Sequence, residues 1–509
     1  MGKEPERSDA CCQPLASRAK QGGYRVPVRT IRGNRLRQIQ TDYLVVGAGA
    51  AGMAFVDALI EHADVRVTLL DRRHAPGGHW LDAYPFVRLH QASQFYGVAS
   101  TPLSDGRLQS EGPEAGLHQR AAAPEIVAYY ARVMDRLVAS GKVTFHPHSD
   151  YHGQGQFTSL DSGQRFVVPD TCRVVDARYL SPSIPARTAT PFEAAEGVRV
   201  IPVNQLPDIA PSTSHFVIVG AGKTATDAIV WLIGQGITPD AICWVRPRDP
   251  WMFDRAVVQP DPVIYSGMVA DIFESASQAD SVDDLFLRME ERGVMLRIDQ
   301  SVTPTMAKTP TLARWELNRL RTVEHVVRLG HVRRIAPGRM VCDRGDAAID
   351  RQAVVVHCAA PGLRYPPTIP VWGPEAITLQ SVATGPIFGA AIAGYLEATR
   401  KEDIEKNRLC IPHPYPDSCA DWPRFMVLSA KGSAALAKEP DVLLWAHSTS
   451  LFRSRIPAER AGQADVVAAV ARLHAARQTG LPRLEAWSGI AEKRDRGDSF
   501  GVAGDRNGP

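Results

Sequence analysis

Two glycine-rich stretches decide the fold of this chain: Gly47-Ala48-Gly49-Ala50-Ala51-Gly52 and Gly220-Ala221-Gly222-Lys223-Thr224-Ala225. The first follows the apolar run Tyr43–Val46, and the second follows the apolar run Phe216–Val219. After each stretch, apolar residues recur at helical spacing, and another apolar run comes next. The pattern therefore predicts a strand, a glycine turn, a helix and a strand in both places, which is a βαβ unit that occurs twice.

A glycine turn between a strand and a helix is a typical phosphate site. The first glycine permits the tight turn, the second lets the backbone approach a pyrophosphate, and the third lets helix and strand pack closely. The helix N-terminus adds free N–H groups and a partial positive charge. An acid at the end of the next strand binds the ribose hydroxyls, and Asp71 follows the apolar run at 65–70. The first motif therefore predicts a dinucleotide site that contains Gly47, Gly49, Gly52 and Asp71.

The second motif has a different character. Ala225 replaces the third glycine, and the apolar run at 241–245 is followed by arginines instead of an acid. Guanidinium groups bind phosphate in a bidentate way, which favours the 2′-phosphate of NADPH. Lys223-Thr224 looks like the end of a P-loop, but Val217 stands where that motif needs a glycine. The residues predicted to bind NADPH are Gly220, Gly222, Lys223, Thr224, Arg246 and Arg248.

A short element after Asp71 indicates a family. Gly77-Gly78-His79-Trp80 resembles the Gly-Gly-x-Trp element of the class B flavin-dependent monooxygenases, in which x is commonly Thr or Leu. In that family the element passes over the flavin, and the stretch after it lies near the isoalloxazine ring. The resemblance implies that FAD occupies the first site, that Gly78, His79 and Trp80 contact it, and that Gln91 contacts the ring.

One departure separates the chain from the Baeyer–Villiger members of that family. Those enzymes carry a Phe-x-Gly-x-x-x-His-x-x-x-Trp element before the second glycine motif, whereas PFEAAEGVRVIPVNQLP at 191–207 has neither His nor Trp. RLHQASQFYGV at 88–98 looks more like a bacterial branch that includes N-oxygenating enzymes similar to nitrosuccinate synthases. The resemblance implies an FAD- and NADPH-dependent monooxygenase. It would transfer one oxygen atom from O₂, via a flavin C4a-(hydro)peroxide, to the nitrogen of a small amine or amino acid (an N-hydroxylation).

The expected fold class is α/β, with two Rossmann-like dinucleotide-binding domains in the glutathione-reductase-like FAD/NAD(P) architecture, a helical insertion and a C-terminal extension. The expected parts are a disordered extension (1–40), the FAD domain in two parts (41–200 and 331–400), the NADPH domain (201–263), the helical insertion (264–330) and the C-terminal region (401–509). The buried run at 354–362 is expected to return the chain to the FAD domain, and 386–398 is expected to form its closing helix. Helices are also expected at 283–287 and 314–327.

Substrate is expected between the insertion and the C-terminal region. Arg255, Arg297, Arg453 or Arg455 could hold a carboxylate there, although arginines in such positions are more often ordinary surface residues. No catalytic acid, base or triad can be named from the sequence. This is consistent with a reaction in which the cofactor carries the chemistry.

Two other classes remain open at this point. One is an NADPH-dependent flavin reductase that passes electrons to a quinone or a protein acceptor. The other is a flavoprotein without catalytic activity that senses redox state. None of the eight cysteines forms a Cys-x-x-Cys pair. This excludes dithiol reductases and zinc ribbons from the candidate classes. No other residue spacing predicts a metal site.

The composition limits the class of protein and the kinds of binding partner that can be expected. A net charge of +3 on 509 residues gives no reason to expect nucleic acid. No run approaches the roughly 20 apolar residues of a membrane span, and the N-terminal stretch MGKEPERSDACC lacks the apolar segment of a signal peptide. Scattered cysteines fit a reducing compartment. We expect a cytoplasmic oxidoreductase whose partners are a small-molecule substrate and O₂, with a homo-oligomer left open.

Overall fold

The computed structural model describes residues 36–490. The disordered extension expected over 1–40 therefore lies outside the described residues up to position 35. Within residues 36–40, Arg37–Gln38 form a short strand that pairs with Phe166 and Val167. Regular structure thus begins slightly before the expected Thr41.

The described chain contains both strands and helices, and its elements after Thr378 are helices only. The strands are β1 Arg37–Gln38, β2 Tyr43–Val46, β3 Val67–Leu70, β4 Val143–His146, β5 Ser149–Gly153, β6 Gln156–Ser159, β7 Arg165–Val167, β8 Arg173–Asp176, β9 Glu193–Ala194, β10 Val200–Pro202, β11 Phe216–Val219, β12 Ile242–Val245, β13 Trp251–Asp254, β14 Met295–Arg297, β15 Thr311–Leu312, β16 Val326–Val327, β17 Val332–Ala336, β18 Arg339–Cys342, β19 Gly345–Ala348, β20 Val354–His357 and β21 Ile377–Thr378. The α-helices are α1 Ala50–His62, α2 Ala123–Ala139, α3 Leu206–Ile209, α4 Lys223–Gly234, α5 Pro262–Gln278, α6 Val282–Glu291, α7 Arg314–Arg321, α8 Pro386–Thr399, α9 Asp403–Leu409, α10 Trp422–Leu436, α11 Pro440–Ser448 and α12 Ala464–Trp487.

The first glycine motif belongs to a five-stranded parallel sheet with the order β21-β8-β2-β3-β4. Helix α1 starts directly after the glycine turn, with Gly49 as its N-cap residue. Helix α8 is the expected closing helix and packs against α1. A β-carbon at Gly394 would overlap the carbonyl oxygen of Phe55, so this crossing requires a residue without a side chain.

The second motif belongs to another five-stranded parallel sheet, with the order β10-β20-β11-β12-β16. Every residue of β11, β12 and β20 is buried, as is typical of parallel strands covered on both faces. Helix α4 begins at Lys223, with Gly222 as its N-cap residue. The predicted α/β fold with two Rossmann-like units is confirmed.

The prediction that the run at 354–362 returns the chain to the first domain is wrong. Its strand, β20, lies in the second sheet, where Val355 pairs with both Val217 and Val200. The strand that returns to the first sheet is Ile377–Thr378, which pairs with β8. A buried apolar run fits the centre of any parallel sheet, and only its pairing partners decide which sheet it joins.

The segment expected as a helical insertion is only partly helical. Helices α5 and α6 are present, but the last expected helix ends at Arg321 and is followed by the edge strand β16 of the second sheet. Strands β14 and β15 flank β13 in a separate three-stranded sheet. Strands of two or three residues are too short to show an alternating pattern, so the sequence did not reveal them.

The C-terminal region packs on the inserted segment. Helix α12 lies against α5, and a β-carbon at Gly480 would overlap the carbonyl oxygen of Phe273. The rings of Trp251, Phe286 and Trp422 join in one buried cluster beneath this contact. Along residues 36–490, no helix has both the length and the apolar character that a membrane crossing demands.

Candidate functional site

The first glycine turn is shaped by close backbone contacts. Gly47 has φ +112°, and a β-carbon at Gly52 would overlap the carbonyl oxygen of Gly47. Asp71 is buried at the end of β3, and its Oδ2 accepts a hydrogen bond from the Ala48 N–H at 2.8 Å. The predicted residues Gly47, Gly49, Gly52 and Asp71 therefore lie together at the carboxyl end of the first sheet, where ligands bind in this type of fold.

The Gly77-Gly78 element lies directly on this turn. The Gly77 N–H donates to the Ala48 carbonyl at 2.9 Å, and a β-carbon on Gly78 would come to 3.0 Å from the Cα of Gly49. Both glycines have positive φ, +123° and +60°, which side chains rarely tolerate. The structure therefore brings the element to the first glycine turn.

His79 and Trp80 follow in a short 3₁₀ turn. Burial lowers the pKa of His79 to about 4, so its imidazole is neutral near pH 7. The Trp80 indole N–H donates to the Tyr96 hydroxyl at 2.6 Å. Burial raises the pKa of Tyr96 to about 12, so this hydroxyl keeps its proton. The aromatic wall beside the first turn thus carries no charge near pH 7.

The second glycine turn is closed on one side and open on the other. Gly220 has φ +139°, and a β-carbon there would come to 2.7 Å from the Cys358 carbonyl oxygen. The Trp244 indole N–H donates to the Gly220 carbonyl at 2.8 Å and holds the turn. By contrast, no heavy atom of the described chain lies within 4 Å of a β-carbon built on Gly222. The backbone at Gly222 is therefore accessible at the N-terminus of α4.

A tyrosine from the first domain reaches the second glycine helix. The Tyr84 hydroxyl donates to Oδ2 of Asp227 at 2.7 Å, and Lys223 forms an ion pair with the same carboxylate. Asp227 lies one helical turn after Lys223, and this i, i+4 spacing could have revealed the pair in the sequence. No sequence pattern predicts the bond of Tyr84, because Asp227 lies 143 residues away along the chain.

The two arginines predicted for the 2′-phosphate are engaged differently. Arg246 is 2% exposed and lies over the Trp244 ring, 3.4 Å from Asp249, yet its Nε and Nη1 have no hydrogen-bond acceptor. Burial lowers the pKa of Arg246 to about 10. Arg248 is more exposed and forms a two-point ion pair with Asp417. Their role in NADPH binding stays a prediction.

Gln91 lies where the first domain meets the C-terminal region. Its Oε1 accepts a hydrogen bond from Arg453 at 2.7 Å. The Arg453 guanidinium also lies near the Tyr265 hydroxyl and 5.7 Å from the centre of the Phe95 ring. These partners are an amide, a phenol and an aromatic ring, and within residues 36–490 no carboxylate forms an ion pair with Arg453. Its positive charge is therefore uncompensated by the described chain.

The other three arginines named as carboxylate clamps have protein partners of their own. Arg255 is 3% exposed and forms ion pairs with Glu114 and with Glu316, the latter at 2.7 Å. Arg297 pairs with Glu290 at 2.9 Å. Arg455 donates to a backbone carbonyl, that of His447, at 2.9 Å. The interpretation of Arg255 as a clamp is wrong, since its charge is already balanced inside the protein.

His90 anchors the segment before Gln91. Its Nδ1 accepts a hydrogen bond from the Thr311 N–H at 3.3 Å, and its carbonyl oxygen accepts one from Nε of Arg255 at 3.2 Å. Burial, with Lys223 and Arg453 nearby, lowers the pKa of His90 to about 3. His90 is therefore a neutral acceptor that ties the segment to the inserted strand β15.

A cavity of about 740 Å³ borders the first glycine turn. It lies between the end of β8 and the loop after β20, and its walls include Asp176, Arg178, Ser183 and Arg364. The Cγ of Arg178 would be 3.3 Å from a β-carbon on Gly47. Arg178 thus lies both in the wall of this cavity and beside the first glycine turn.

The fold and the two glycine turns define a two-dinucleotide-domain α/β protein. Residues 45–88 match the family model described as an NAD(P)-binding Rossmann-like domain. The "Uncharacterized protein Rv2000" of Mycobacterium tuberculosis (strain ATCC 25618 / H37Rv) is 40% identical over 420 residues, which cover 82% of this chain and 78% of that protein. "Uncharacterized protein Mb2023" of Mycobacterium bovis matches at the same level. The chain belongs to the family of these mycobacterial proteins.

Solved structures with a similar fold include monooxygenases and a reductase. A steroid monooxygenase with bound NADP is 13% identical, with a TM-score of 0.47 over 89% of this chain and 99% of that chain. A flavin-containing monooxygenase from Stenotrophomonas maltophilia is 14% identical, with a TM-score of 0.41 over 71% and 98%. A bacillithiol disulfide reductase from Staphylococcus aureus is 11% identical, with a TM-score of 0.42 over 71% and 97%.

Proposed function

We propose that this protein is an FAD- and NADPH-dependent monooxygenase that transfers one oxygen atom from O₂ to the nitrogen of a small amine or amino acid. The observation that carries the proposal is the path of residues 77–91. This segment contacts the first glycine turn through Gly78, the second glycine helix through Tyr84, and the C-terminal region through Gln91. One segment therefore joins both glycine turns and Arg453, and it would form a wall shared by the two cofactors and the substrate.

The residues at the first site fit FAD. Gly47 and Gly52 form a turn whose backbone can approach a pyrophosphate, and Asp71, at the end of β3, would bind the ribose hydroxyls. Gly78, His79 and Trp80 come next to this turn, and they would contact the flavin. Gln91 ends this segment and would contact the ring.

The residues at the second site fit NADPH. The open backbone at Gly222 and the N-terminus of α4 suit the pyrophosphate. Gly220, Lys223 and Thr224 complete the turn. The buried Nε of Arg246 has no hydrogen-bond acceptor, while its Nη1 lies 3.4 Å from Asp249. An unpaired buried donor is costly, so a phosphate oxygen would improve the environment of Nε. Arg248 would contribute after it releases Asp417.

When bound, FAD reduced by NADPH would supply the reactivity toward O₂, of which one oxygen atom would go to the substrate nitrogen and the other would leave as water. The chain itself positions the reactants and excludes water. Trp80 and Tyr96 form an uncharged wall, and His90 stays neutral at physiological pH, so it holds the segment before Gln91 without adding charge. A dry, preorganised site is what such cofactor chemistry demands of the protein.

Arg453 favours an amino acid over a simple amine as substrate. An uncompensated guanidinium beside Gln91 and Tyr265 is suited to a carboxylate, which it can bind through two parallel hydrogen bonds. The carboxylate would fix one end of the molecule and leave its nitrogen to face the flavin.

The oxygenation itself is tested with isotope labelling. FAD-loaded protein is mixed with NADPH, ¹⁸O₂ and a panel of amino acids and amines, and products are analysed by mass spectrometry. We expect one ¹⁸O atom in an N-oxygenated product. NADPH oxidation that reduces an added quinone or protein acceptor, without labelled product, would instead establish the reductase alternative.

The substrate class is tested by comparing Arg453→Met with Arg455→Met. We expect Arg453→Met to raise KM for an amino-acid substrate about 30-fold or more, because removing one partner of a charge pair costs about 2 kcal/mol or more. KM for the matching amine without a carboxylate should stay unchanged. Arg455→Met, on the same loop, controls for loop disturbance. An equal rise in KM for the amino-acid substrate in both variants would show that Arg453 does not bind the substrate.

A further inference from the structure

A histidine pair and an aspartate meet at the edge of the first domain, and the proposed oxygenation uses none of these three residues. His74 lies in the loop between β3 and the Gly77-Gly78 element, His148 lies between β4 and β5, and Asp161 lies in the turn between β6 and β7. These three residues offer ring nitrogens and a carboxylate oxygen that all lie within 4.8 Å of one another. The sequence did not predict a metal site here, because the three residues come from separate segments.

Backbone hydrogen bonds hold the three segments together. The His148 N–H donates to the Arg73 carbonyl at 2.9 Å, and the His148 carbonyl accepts from the Leu160 N–H at 2.7 Å. The first bond therefore joins His148 to the residue before His74, and the second joins it to the residue before Asp161. His148 also has φ +43°, a left-handed conformation that is uncommon for residues other than glycine. The fold thus holds this histidine in an unfavourable backbone conformation.

The side chains are close and accessible. The His148 Nδ1 lies 2.5 Å from Oδ1 of Asp161, and the His74 and His148 ring centres are 3.8 Å apart. The side chains of His148 and Asp161 are 27% and 62% exposed. An ion can therefore reach them from solvent, and small rotations of exposed side chains would place three ligand atoms around it at metal–ligand distances.

We propose that His74, His148 and Asp161 bind a divalent transition-metal ion, with Zn²⁺ as its representative. Two imidazoles and one carboxylate form a ligand set that suits zinc and its neighbours, and that leaves at least one position for water. The alkaline-earth ions prefer oxygen ligands, so they would bind weakly. This site is independent of the proposed oxygenation.

Metal binding would tie the first glycine site to the adjoining sheet. His74 lies between Asp71 and the Gly77-Gly78 element, whereas Asp161 lies in the hairpin formed by β6 and β7. An ion held by both, together with His148, closes a bridge between these segments. A ligand that binds only the folded state stabilises it, so Zn²⁺ should raise the melting temperature.

The test is calorimetric titration of the untagged full-length chain with ZnCl₂ after chelator treatment. The variants are His74→Ala, His148→Asn and Asp161→Asn, where asparagine at 148 is chosen because it tolerates a left-handed backbone. We expect each variant to lose one equivalent of bound zinc or to bind it at least about tenfold more weakly. The zinc-induced rise in melting temperature should shrink in parallel.

The matched control is His331→Ala. His331 also lies beside an aspartate, with its Nδ1 at 3.3 Å from Asp343, but it belongs to no three-residue group in the described chain. This control should keep the full zinc stoichiometry and the full thermal shift. Identical stoichiometry and affinity in the parent and all four variants would overturn the proposal, and so would a parent chain that binds no zinc. Circular dichroism of each variant checks that the fold is retained.

Discussion

A β-carbon at Gly52 would overlap the carbonyl oxygen of Gly47, whereas a β-carbon at Gly222 would meet no described heavy atom within 4 Å. The two glycines come from similar motifs but serve different purposes. Gly52 is required by the folded protein itself, because helix and turn touch at this point. Gly222 is unconstrained by the protein, so a need for glycine there must come from a ligand that approaches the backbone.

Replacing these glycines by alanine should therefore separate folding from binding. Gly52→Ala should lower the melting temperature and the FAD content together, because the turn must shift to admit the methyl group. Gly222→Ala should leave both unchanged and weaken NADPH binding about tenfold, or about 1.4 kcal/mol. Thermal melts, flavin absorbance and NADPH titration check this. Unchanged NADPH affinity in Gly222→Ala would argue against a pyrophosphate at this turn.

At the scale of elements, the link between the segment at 77–91 and helix α4 connects the two dinucleotide sites. Tyr84 donates to Asp227, which also pairs with Lys223 at the second glycine turn. Tyr43 makes a chemically similar bond, to Glu397 at 2.7 Å, but at a site unrelated to the glycine turns. The described chain thus offers two tyrosine–carboxylate bonds of equal length, of which one lies beside the second glycine turn.

Tyr84→Phe and Tyr43→Phe form a matched pair for this link. Each should cost about 1 to 3 kcal/mol of unfolding free energy, since each leaves a carboxylate with one donor fewer. Only Tyr84→Phe should slow the reduction of bound flavin by NADPH, by roughly tenfold, because small misplacements of reactants are expensive. Stopped-flow absorbance measures this rate. If both variants slowed reduction equally, Tyr84 would have no special role in alignment.

At the scale of the whole molecule, histidines whose rings are largely removed from water make the stability of the fold depend on pH. Burial lowers the pKa of His79 and His413 to about 4 and that of His90 to about 3. The unfolded chain takes up these protons near pH 6.5, whereas the folded chain takes them up only below about pH 4. Below pH 6.5 the unfolded state therefore binds more protons, and stability falls with decreasing pH.

His413→Gln tests this dependence. His413 is 3% exposed, and its Nε2 lies 3.2 Å from both the Ser381 hydroxyl and the Ala383 carbonyl. We expect the variant to lose less stability than the parent between pH 6.5 and 4.5, by up to about 1.4 kcal/mol per pH unit. Urea unfolding at several pH values measures the slope. His152→Gln, at an exposed strand position, is the control. If the stability of both variants depended on pH as steeply as that of the parent, His413 would not be a source of the acid sensitivity.

The part of the site that could be predicted consists of residues close together in the sequence. Gly47, Gly49 and Gly52 lie in one turn, and Asp71 follows the next strand, so a local pattern identifies all four. The resemblance to a family indicates Gln91 as a ring contact, but nothing in the sequence predicts its hydrogen bond with Arg453. The charge balance of Arg255 was also not visible, because Glu114 and Glu316 approach it from distant parts of the chain.

The sequence by itself determined the two βαβ units, the positions of both glycine turns and the helices that follow them. Periodicity and turn chemistry act over a few residues, so they can be read without knowing the path of the chain. Only the tertiary structure decided that Val354–His357 joins the second sheet, that Arg453 keeps an uncompensated charge, and that His74 meets His148. Each of these depends on contacts between residues far apart along the chain, and local patterns do not encode which distant partners meet.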